Sequence, residues 1–491
     1  MKDKEKNDQS NAASDIIDIL AELIYTLVAD TLVFSWKLIS DSLSNNDGVK
    51  SLSLDNINDS TQSINSLALG YSTSQKKDLL FSDIDTGRHN LVVGASGFGK
   101  TTISENFIEN DLRNHISVIS FDPKGSTESI ITLNSLCEFY GRKMYVFSEH
   151  YHTGDKFNLF KGLDTTQAVA LIMRSFKWEN GFYKTKSETA LYQVIREVRE
   201  RDEVLSFHTI LKKLDEEEDK KSKEMIAGLI SYLQGICFSS FGRLFDIKSN
   251  DEGYNISDIR GEGACLYIGL STQGYGDIAK GIGKIFLCSL LFHSYEVLKE
   301  RNSLNDKLLT NPISVHFDEL GSILVEDFID LKNKCREAKI RIYSYIQSLA
   351  DIDAVSPFLK RQIFENSNNI FIQKQCSPDD VDFLSKSVST IASKKLTKII
   401  ENGVEQNLGT TREAFQYVLH PSMFSRLKIG QCVLIRHDPK CVDIINVRYS
   451  KTSEALSTRK APLTINDRVL IRETVDLYKS TQKTTNIDMF S

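Results

Sequence analysis

Residues 91–102, which read LVVGASGFGKTT, constrain the fold of this chain more than any other segment. The segment opens on apolar, β-branched residues typical of a buried strand, and glycines then break the run. A lysine and two threonines follow, at the start of a helix that we predict over residues 101–110. In a strand, glycine-rich turn and helix of this order, backbone N–H groups and the positive end of the helix converge on phosphate. The sequence therefore predicts a phosphate-binding loop.

The loop pattern predicts a role for each residue around the phosphates. Lys100 would contact the β and γ phosphates, and the hydroxyl of Thr101 would bind Mg²⁺. An alternative is a glycine-rich hairpin with a surface lysine, which the flanking strand and helix disfavour. The predicted nucleotide-binding residues are Gly94, Ala95, Ser96, Gly97, Phe98, Gly99, Lys100, Thr101 and Thr102.

Length and composition bound the class of protein. A chain of 491 residues has room for two or three domains, and 41% hydrophobic residues are enough for a buried core. The net charge of -6 gives no attraction of the whole protein to nucleic acid, so such a contact needs a local patch or a pore lined by several copies. The eight cysteines form no CxxC pair, which indicates reduced thiols and a cytoplasmic location.

The N-terminal residues 16–39 are apolar enough to interact with a membrane or a partner. They are long enough to span a bilayer, but Asp18, Glu22 and Asp30 lie within them, and each central acid costs about 2.5 to 3.5 kcal/mol. We expect an amphipathic helix that contacts a partner or another subunit, with a membrane anchor or an ordinary packed helix as the alternatives.

Strand and helix patterns alternate along the rest of the chain, which predicts an α/β fold with a mainly parallel sheet. A long helical run without strand signals suggests an inserted all-α domain. The predicted strands cover residues 115–121, 144–148, 264–270, 313–317, 340–346, 369–373, 431–436 and 442–447. The predicted divisions are residues 1–40 for the N-terminal helix, 41–77 for a flexible linker, 78–164 for the first part of the α/β body, 165–245 for the all-α domain, 246–450 for the second part of the body and 451–491 for a tail.

A pair of acidic residues supplies the second half of the predicted site. The strand ISVHF ends at Asp318 and Glu319, where one carboxylate can bind Mg²⁺ and the next can activate water. The alternative is a strand end with two solvated acids, which the upstream phosphate loop disfavours. We therefore predict Asp318 and Thr101 as metal ligands and Glu319 as the general base.

Three further side chains are candidates for catalysis. Gln347 ends a predicted strand, where a neutral amide can detect the γ phosphate. Arg336, in a helix predicted over residues 328–339, could reach the nucleotide of a neighbouring subunit in a ring. Arg361 is a second candidate for that role, and either arginine could also be an ordinary surface residue.

At this point the chain resembles the coupling ATPases of conjugative and type IV secretion systems, within the FtsK/HerA group of hexameric translocases. The resemblance covers about residues 78–450. It is carried by GASGFGKTT, VISFDPKGS, VHFDELGSI, RIYSYIQSLADI and two downstream segments, ENSNNIFIQKQCSPDDVDFLSKSVS and FSRLKIGQCVLIRHDPKCVDIINVRY.

The resemblance implies a RecA-like P-loop NTPase body with a small all-α domain. It also implies a homo-hexamer that hydrolyses ATP with Mg²⁺ and passes single-stranded DNA, with its attached relaxase, to a secretion channel. The location would be the cytoplasmic face of the bacterial inner membrane, although members usually carry two spanning helices and this chain has one interrupted apolar stretch, so a cytoplasmic location is the alternative. The implied functional residues are Lys100, Thr101, Asp318, Glu319, Gln347 and Arg336.

Other functions fit the same motifs. The same ATPase could carry effector proteins, or it could be a HerA-like translocase of double-stranded DNA in repair or defence. A nucleotide-gated scaffold without turnover is the non-enzymatic alternative.

Overall fold

The computed structural model describes residues 67–73, 75–149, 155–216, 219–300, 311–322, 326–388, 390–401, 404–438 and 440–452. In this part of the chain, eleven strands form one sheet in the order β2-β1-β13-β12-β9-β3-β8-β7-β4-β6-β5, and β10 and β11 form a separate hairpin. The strands are β1 (Leu67–Ser72), β2 (Lys77–Phe81), β3 (Asn90–Val93), β4 (Ser117–Asp122), β5 (Met144–Phe147), β6 (Cys265–Gly269), β7 (Ile313–Phe317), β8 (Ile340–Ile346), β9 (Asn369–Ile372), β10 (Thr390–Glu401), β11 (Val404–Tyr417), β12 (Gln431–Arg436) and β13 (Cys441–Val447).

Helices connect these strands. They are α1 (Asp83–Thr86), α2 (Lys100–Arg113), α3 (Thr127–Phe139), α4 (Thr165–Ser175), α5 (Gly181–Glu200), α6 (Phe207–Asp215), α7 (Lys220–Met225), α8 (Ala227–Cys237), α9 (Ile256–Glu262), α10 (Thr272–Glu300), α11 (Glu326–Lys334), α12 (Ala350–Asp353), α13 (Pro357–Glu365), α14 (Pro378–Val388) and α15 (Pro421–Arg426). Two short 3-10 turns cover Gly242–Leu244 and Leu320–Ser322.

The centre of the sheet is parallel, as predicted. The strands β9, β3, β8, β7, β4, β6 and β5 are adjacent in this order, and each pair within this series is parallel. Val93 at the end of β3 pairs with Ile346 on one side and Ile372 on the other. Because neighbouring parallel strands end at the same edge, the residues that follow β3, β7, β8 and β9 lie close together although they are far apart in the sequence.

Both faces of the central strands are buried. Leu91 and Val93 pack into one hydrophobic cluster, and Val92 packs into another with Phe107 of α2. All three strand residues are fully buried. A strand covered on both faces needs a continuous apolar run, which is what residues 91–93 supply.

The sheet is extended at one end by antiparallel strands that the sequence analysis missed in part. β12 pairs antiparallel with β9, β13 with β12, β1 with β13 and β2 with β1. The flexible linker predicted over residues 41–77 is therefore too long, because β1 and the start of β2 belong to the sheet. Leu67 and Leu69 are fully buried in the core of this end, and their alternation was the missed signal. Residues 41–66 lie outside the described residues.

Between β5 and β6 the described residues form helices α4 to α9. Side-chain caps begin several of them: Asp164 and Gln167 form a capping box at α4, and Ser206 caps α6. Their apolar side chains, such as Leu191 and Ile195, belong to the same hydrophobic cluster as Phe121 of the sheet. The division of the chain into domains stays a prediction.

The long helix α10 is buried against the sheet. Among the described residues it is the one helix long and apolar enough to cross a membrane, over Thr272–Lys299. Within this range, 67% of the 18-residue apolar window is buried inside the protein. Phe286 of α10 contacts Phe121 and Phe147 of the sheet. Residues 16–39, the predicted amphipathic segment, lie outside the described residues.

One predicted helix is shorter than expected. The helix predicted over residues 328–339 ends at Lys334, and Arg336 lies in the turn before β8 rather than in the helix. The chain must turn here so that Ile340 can enter β8, where it pairs with Ile313 of β7.

Candidate nucleotide-binding site

The phosphate loop connects β3 to α2. Gly94 continues the sheet by donating its N–H to the Ile346 carbonyl at 3.1 Å. Gly97 and Gly99 have φ values of 82° and 102°, a region that residues with a Cβ avoid, so the two glycines allow the loop to curl. Gly99 precedes the first residue of α2, Lys100. The N-terminus of α2 thus points into the loop, as the sequence predicts for a phosphate site.

Lys100 is folded back onto its own loop. Its Nζ donates to the Gly94 carbonyl at 2.6 Å. Burial lowers the pKa of Lys100, while the nearby carboxylates of Asp318 and Glu319 act in the opposite direction. A partly buried ammonium whose present acceptor is a neutral carbonyl can bind an anion more strongly, so a phosphate would replace the weaker carbonyl contact.

The two predicted acids follow β7 directly. The backbone N–H of Asp318 donates to the Phe121 carbonyl of β4 at 3.1 Å, which holds the strand end in the sheet. Glu319 has a φ of 42°, and its N–H donates to the Asp318 Oδ1 at 3.0 Å. Burial raises the pKa of Asp318, and the neighbouring carboxylates of Asp122 and Glu319 raise it further. A cation beside Asp318 would relieve both effects.

These residues fit a magnesium ion that phosphate helps to hold. Among the described residues, no group of three His, Cys, Asp or Glu side chains could bind a metal ion alone. Mg²⁺ in nucleotide sites is bound by one or two protein oxygens together with phosphates and water, which matches Thr101 and Asp318 on the wall of one cavity.

Gln347 bridges the phosphate loop and the predicted general base. Its Oε1 accepts from the Ser96 hydroxyl at 3.2 Å, and its Nε2 donates to the Glu319 Oε1 at 2.9 Å. Lys124 contacts the same Glu319 oxygen at 2.5 Å. Four connected side chains, those of Ser96, Gln347, Glu319 and Lys124, therefore link the ends of β8, β7 and β4 to the loop that follows β3.

The turn after β4 positions Lys124. Asp122 accepts from the N–H groups of Lys124 and Ser126 at 2.9 and 3.0 Å, and from the Tyr267 hydroxyl at 2.7 Å. Burial, followed by the charge of Asp122, raises the pKa of Tyr267, so its hydroxyl stays a donor. Gly125 has a φ of 64°, and a Cβ there would lie 2.2 Å from the Ser271 hydroxyl. The sequence DPKG is thus a turn that only glycine can close.

The two halves of the predicted site share one cavity of about 370 Å³. Lys100 and Thr101 from the phosphate loop line it together with Asp318 and Lys124. The Glu319 carboxylate lies next to the cavity, because it forms an ion pair with Lys124. The structure therefore brings together Lys100, Thr101, Asp318, Glu319 and Gln347, which the sequence analysis selected from distant segments.

The two arginines are not at this cavity. Arg336 is exposed in the turn before β8, at the opposite edge of the sheet from the residues that follow the parallel strands. Arg361 is exposed on α13 and pairs with Glu365 at 2.7 Å. Neither arginine lines the cavity in this structure.

Two residues were not predicted, one on the cavity wall and one beneath the phosphate loop. Lys124 was part of the DPKG turn, but no role was assigned to its ammonium. Gln373 follows β9 and is fully buried beneath the phosphate loop. The signal for Gln373 was its place after a parallel strand, the same signal that selected Gln347.

No family model matches the chain. No curated protein matches it by sequence.

Solved structures share its fold. The bacterial conjugative coupling protein TrwBdeltaN70, in an unbound form, aligns with a TM-score of 0.58 and 12% identity over 78% of this chain and 90% of that chain. TrwB in complex with ADP and Mg²⁺ aligns with a TM-score of 0.54 and 13% identity over 74% and 86%. VirB4 of Thermoanaerobacter pseudethanolicus aligns with a TM-score of 0.54 and 11% identity over 80% and 99%. These similarities confirm the predicted α/β fold of P-loop NTPase type, with its mainly parallel sheet.

Proposed function

We propose that this chain is a Mg²⁺-dependent P-loop ATPase that couples a DNA-processing complex to a type IV secretion or conjugation channel. One observation carries the catalytic part: Lys100 and Asp318, from distant segments, line a single cavity. The fold shared with TrwB, described as a plasmid coupling protein and bound to ADP and Mg²⁺ in one structure, supports the choice of ligand and process.

The chemistry follows from the side chains around the cavity. Lys100 exchanges the Gly94 carbonyl for the β and γ phosphates, because a charged acceptor forms the stronger hydrogen bond. Thr101 and Asp318 would hold Mg²⁺, which when bound would supply positive charge against the phosphates. Glu319 takes a proton from the attacking water. Gln347, already bonded to Glu319 and Ser96, keeps that carboxylate oriented toward the loop.

The proposed partners follow the same analogy. The working unit is a homo-hexamer that takes single-stranded DNA and its bound relaxase to channel components at the cytoplasmic face of the inner membrane. Residues 16–39 would contact the membrane or a small membrane protein. Because the net charge is -6, the proposed DNA contacts need a local basic patch or a pore lined by several copies.

Replacing Glu319 by glutamine tests the enzymatic proposal. The Glu319→Gln variant keeps the size and one acceptor oxygen of the side chain but removes the base, so we expect normal binding of ATP and a loss of turnover of at least about a hundredfold. Steady-state phosphate release and binding of a labelled nucleotide measure the two properties. Glu337→Gln, at an exposed position before β8, is the matched control. Turnover at the wild-type rate in Glu319→Gln would remove this residue from its role.

Stimulation of turnover tests the cargo. We expect single-stranded DNA to raise the ATPase rate of the wild-type protein more than double-stranded DNA or candidate effector proteins do. A response to effector proteins alone would favour a protein-recruiting coupling ATPase. A response to double-stranded DNA would favour a HerA-like translocase, and binding without turnover would favour a nucleotide-gated scaffold.

A further inference from the structure

Gln373 lies directly beneath the phosphate loop. Its backbone N–H donates to the Val93 carbonyl at 2.8 Å, which anchors it to the strand that carries the loop. A Cβ placed on Gly94 would lie 2.3 Å from the Gln373 Oε1, and one placed on Gly99 would lie 3.3 Å from its Nε2. The side-chain amide therefore sits between the two ends of the loop, Gly94 and Gly99.

This amide has no hydrogen-bond partner among the described residues. Gln373 is 0% exposed, and both its Oε1 and its Nε2 are buried without a partner. Buried polar groups in proteins are nearly always paired, because an unpaired one loses its bonds to water and gains nothing. An apolar side chain of the same length would fill this space at a lower cost, so packing does not explain a glutamine here.

The loop itself offers the missing partner. The Gly94 carbonyl now accepts from Lys100, and it would lose this donor when Lys100 turns to a phosphate. Gly94 is buried, so its carbonyl then needs another donor. A half-turn of the Gln373 amide, which leaves the shape of the side chain unchanged, brings Nε2 to the Gly94 side.

We propose that Gln373 is a positioning residue for nucleotide binding, whose amide takes over the Gly94 carbonyl when Lys100 engages the phosphates of a nucleoside triphosphate. The inference rests on the proposed function, since it requires that the cavity binds a nucleotide. The unpaired amide then destabilises the nucleotide-free conformation of the loop. In the nucleotide-bound conformation the amide is paired, and this difference strengthens the binding of nucleotide.

The variant Gln373→Met separates this role from simple packing, because methionine matches the length of glutamine and lacks its polar atoms. Without nucleotide, we expect the variant to unfold at the same temperature as the wild type or a higher one, since two unpaired polar atoms are removed. With Mg²⁺ and a non-hydrolysable ATP analogue, we expect about tenfold weaker binding and a smaller rise in the unfolding temperature. Thermal unfolding and titration calorimetry on the full chain measure both.

Gln167→Met is the matched control. Gln167 is also a buried glutamine, but its amide is bonded to Glu296 at 2.9 Å and lies away from the cavity. We expect this control to lower the unfolding temperature without nucleotide and to leave nucleotide affinity unchanged. Gln373→Met should therefore weaken nucleotide binding without lowering the unfolding temperature, whereas Gln167→Met should lower the unfolding temperature without weakening nucleotide binding.

Two results would overturn the inference. One is wild-type nucleotide affinity in Gln373→Met, and the other is a loss of stability without nucleotide together with an unchanged response to it, which would make Gln373 a packing residue. If Gln373→Met does not fold, Gln373→Asn withdraws the amide from the loop by one methylene and should also weaken binding. Failure of the wild-type protein itself to bind the analogue would instead refute the proposed function.

Discussion

The charged residues around the cavity balance one another in this structure. Lys124 pairs with Glu319, and Lys100 lies near Asp318 and Glu319. The bond to Glu319 raises the pKa of Lys124, so this ammonium is firmly charged. The proposed general base and the two cations therefore lie close together, and we expect binding of a nucleotide to exchange these ion-pair partners for phosphate oxygens.

Lys124 should contribute to turnover more than to stability. The variant Lys124→Met removes a cation from the cavity and leaves Glu319 without its ion pair, so we expect turnover to fall about tenfold or more. The unfolding temperature should barely change, because the Lys124 side chain is 57% exposed and pairs of this kind contribute about 0 to 1 kcal/mol. Phosphate release and thermal unfolding measure the two effects. An unchanged rate would show that Lys124 only neutralises Glu319.

Binding of Mg²⁺ with nucleotide should depend on pH through Asp318. Its pKa is raised, chiefly by burial, so at low pH the protonated carboxyl cannot bind the ion. Affinity should therefore increase as the pH rises through this raised pKa, and decrease again at high pH where Lys100, whose pKa is lowered, loses its charge. Titration calorimetry at a series of pH values from acid to alkaline measures this profile.

The Asp318→Asn variant and the omission of Mg²⁺ test whether Asp318 causes the pH dependence. Asp318→Asn should abolish the rise in affinity at low pH. Nucleotide without Mg²⁺ should bind to the wild type without that rise. A pH profile that is the same in Asp318→Asn and the wild type would show that another group titrates.

At the scale of elements, α11 carries a buried lysine into the space beside α13. Lys332 is 1% exposed, and its Nζ donates to the Ile363 carbonyl at 3.1 Å and to the Ser367 hydroxyl at 2.6 Å. Burial lowers its pKa from 10.5 to about 7. Its backbone carbonyl contacts the Nε2 of His89, whose pKa burial lowers to about 3, so the imidazole is neutral at physiological pH. This contact ties α11 to the segment that leads into β3.

The Lys332→Met variant should be more stable than the wild type at neutral and lower pH. Below the folded pKa of about 7, the buried charge of Lys332 lowers the free energy of unfolding of the wild-type protein by its full amount. This destabilisation decreases steadily between pH 7 and 10.5, because the folded protein has lost the proton there and the unfolded chain still keeps it. We expect a gain of about 1 to 3 kcal/mol at pH 6 that shrinks toward pH 10. Urea unfolding of both proteins at several pH values measures it. A variant less stable at pH 6 would contradict this account.

At the scale of the whole molecule, the parallel sheet separates two sets of candidate residues. The cavity lies where β3, β4, β7 and β8 end, whereas Arg336 precedes β8 at the opposite edge. A single chain therefore cannot bring Arg336 to its own Lys100. If Arg336 acts in catalysis, it acts on the nucleotide of a neighbouring subunit, as the proposed hexamer would allow.

Mixing two inactive variants tests this arrangement. Lys100→Ala lacks the phosphate contact and Arg336→Ala lacks the arginine, and we expect each alone to be inactive. Mixed subunits should regain part of the activity, because some interfaces then combine an intact loop with an intact arginine. Phosphate release from the mixture measures the recovery, and Arg361→Ala replaces Arg336→Ala as the control. Wild-type activity in Arg336→Ala, or no recovery in the mixture, would exclude the role in trans.

The sequence by itself determined the parts of this protein that depend on local pattern. The glycine spacing required a loop that curls around phosphate, and the apolar runs ending in Asp318 and at Gln347 required strands whose last residues carry polar groups. Alternation of strands and helices required a mainly parallel sheet. Each of these features follows from the backbone freedom of glycine or from burial of consecutive side chains, which neighbouring residues decide among themselves.

Only the tertiary structure decided which strand ends become neighbours. The order of the strands places Gln373 under the loop, joins Lys124 to Glu319, puts Arg336 at the far edge and brings β1 into the sheet beside β13. No local pattern encodes these pairings, because they depend on contacts between segments far apart in the chain. They form only when the whole sheet buries its two faces at once.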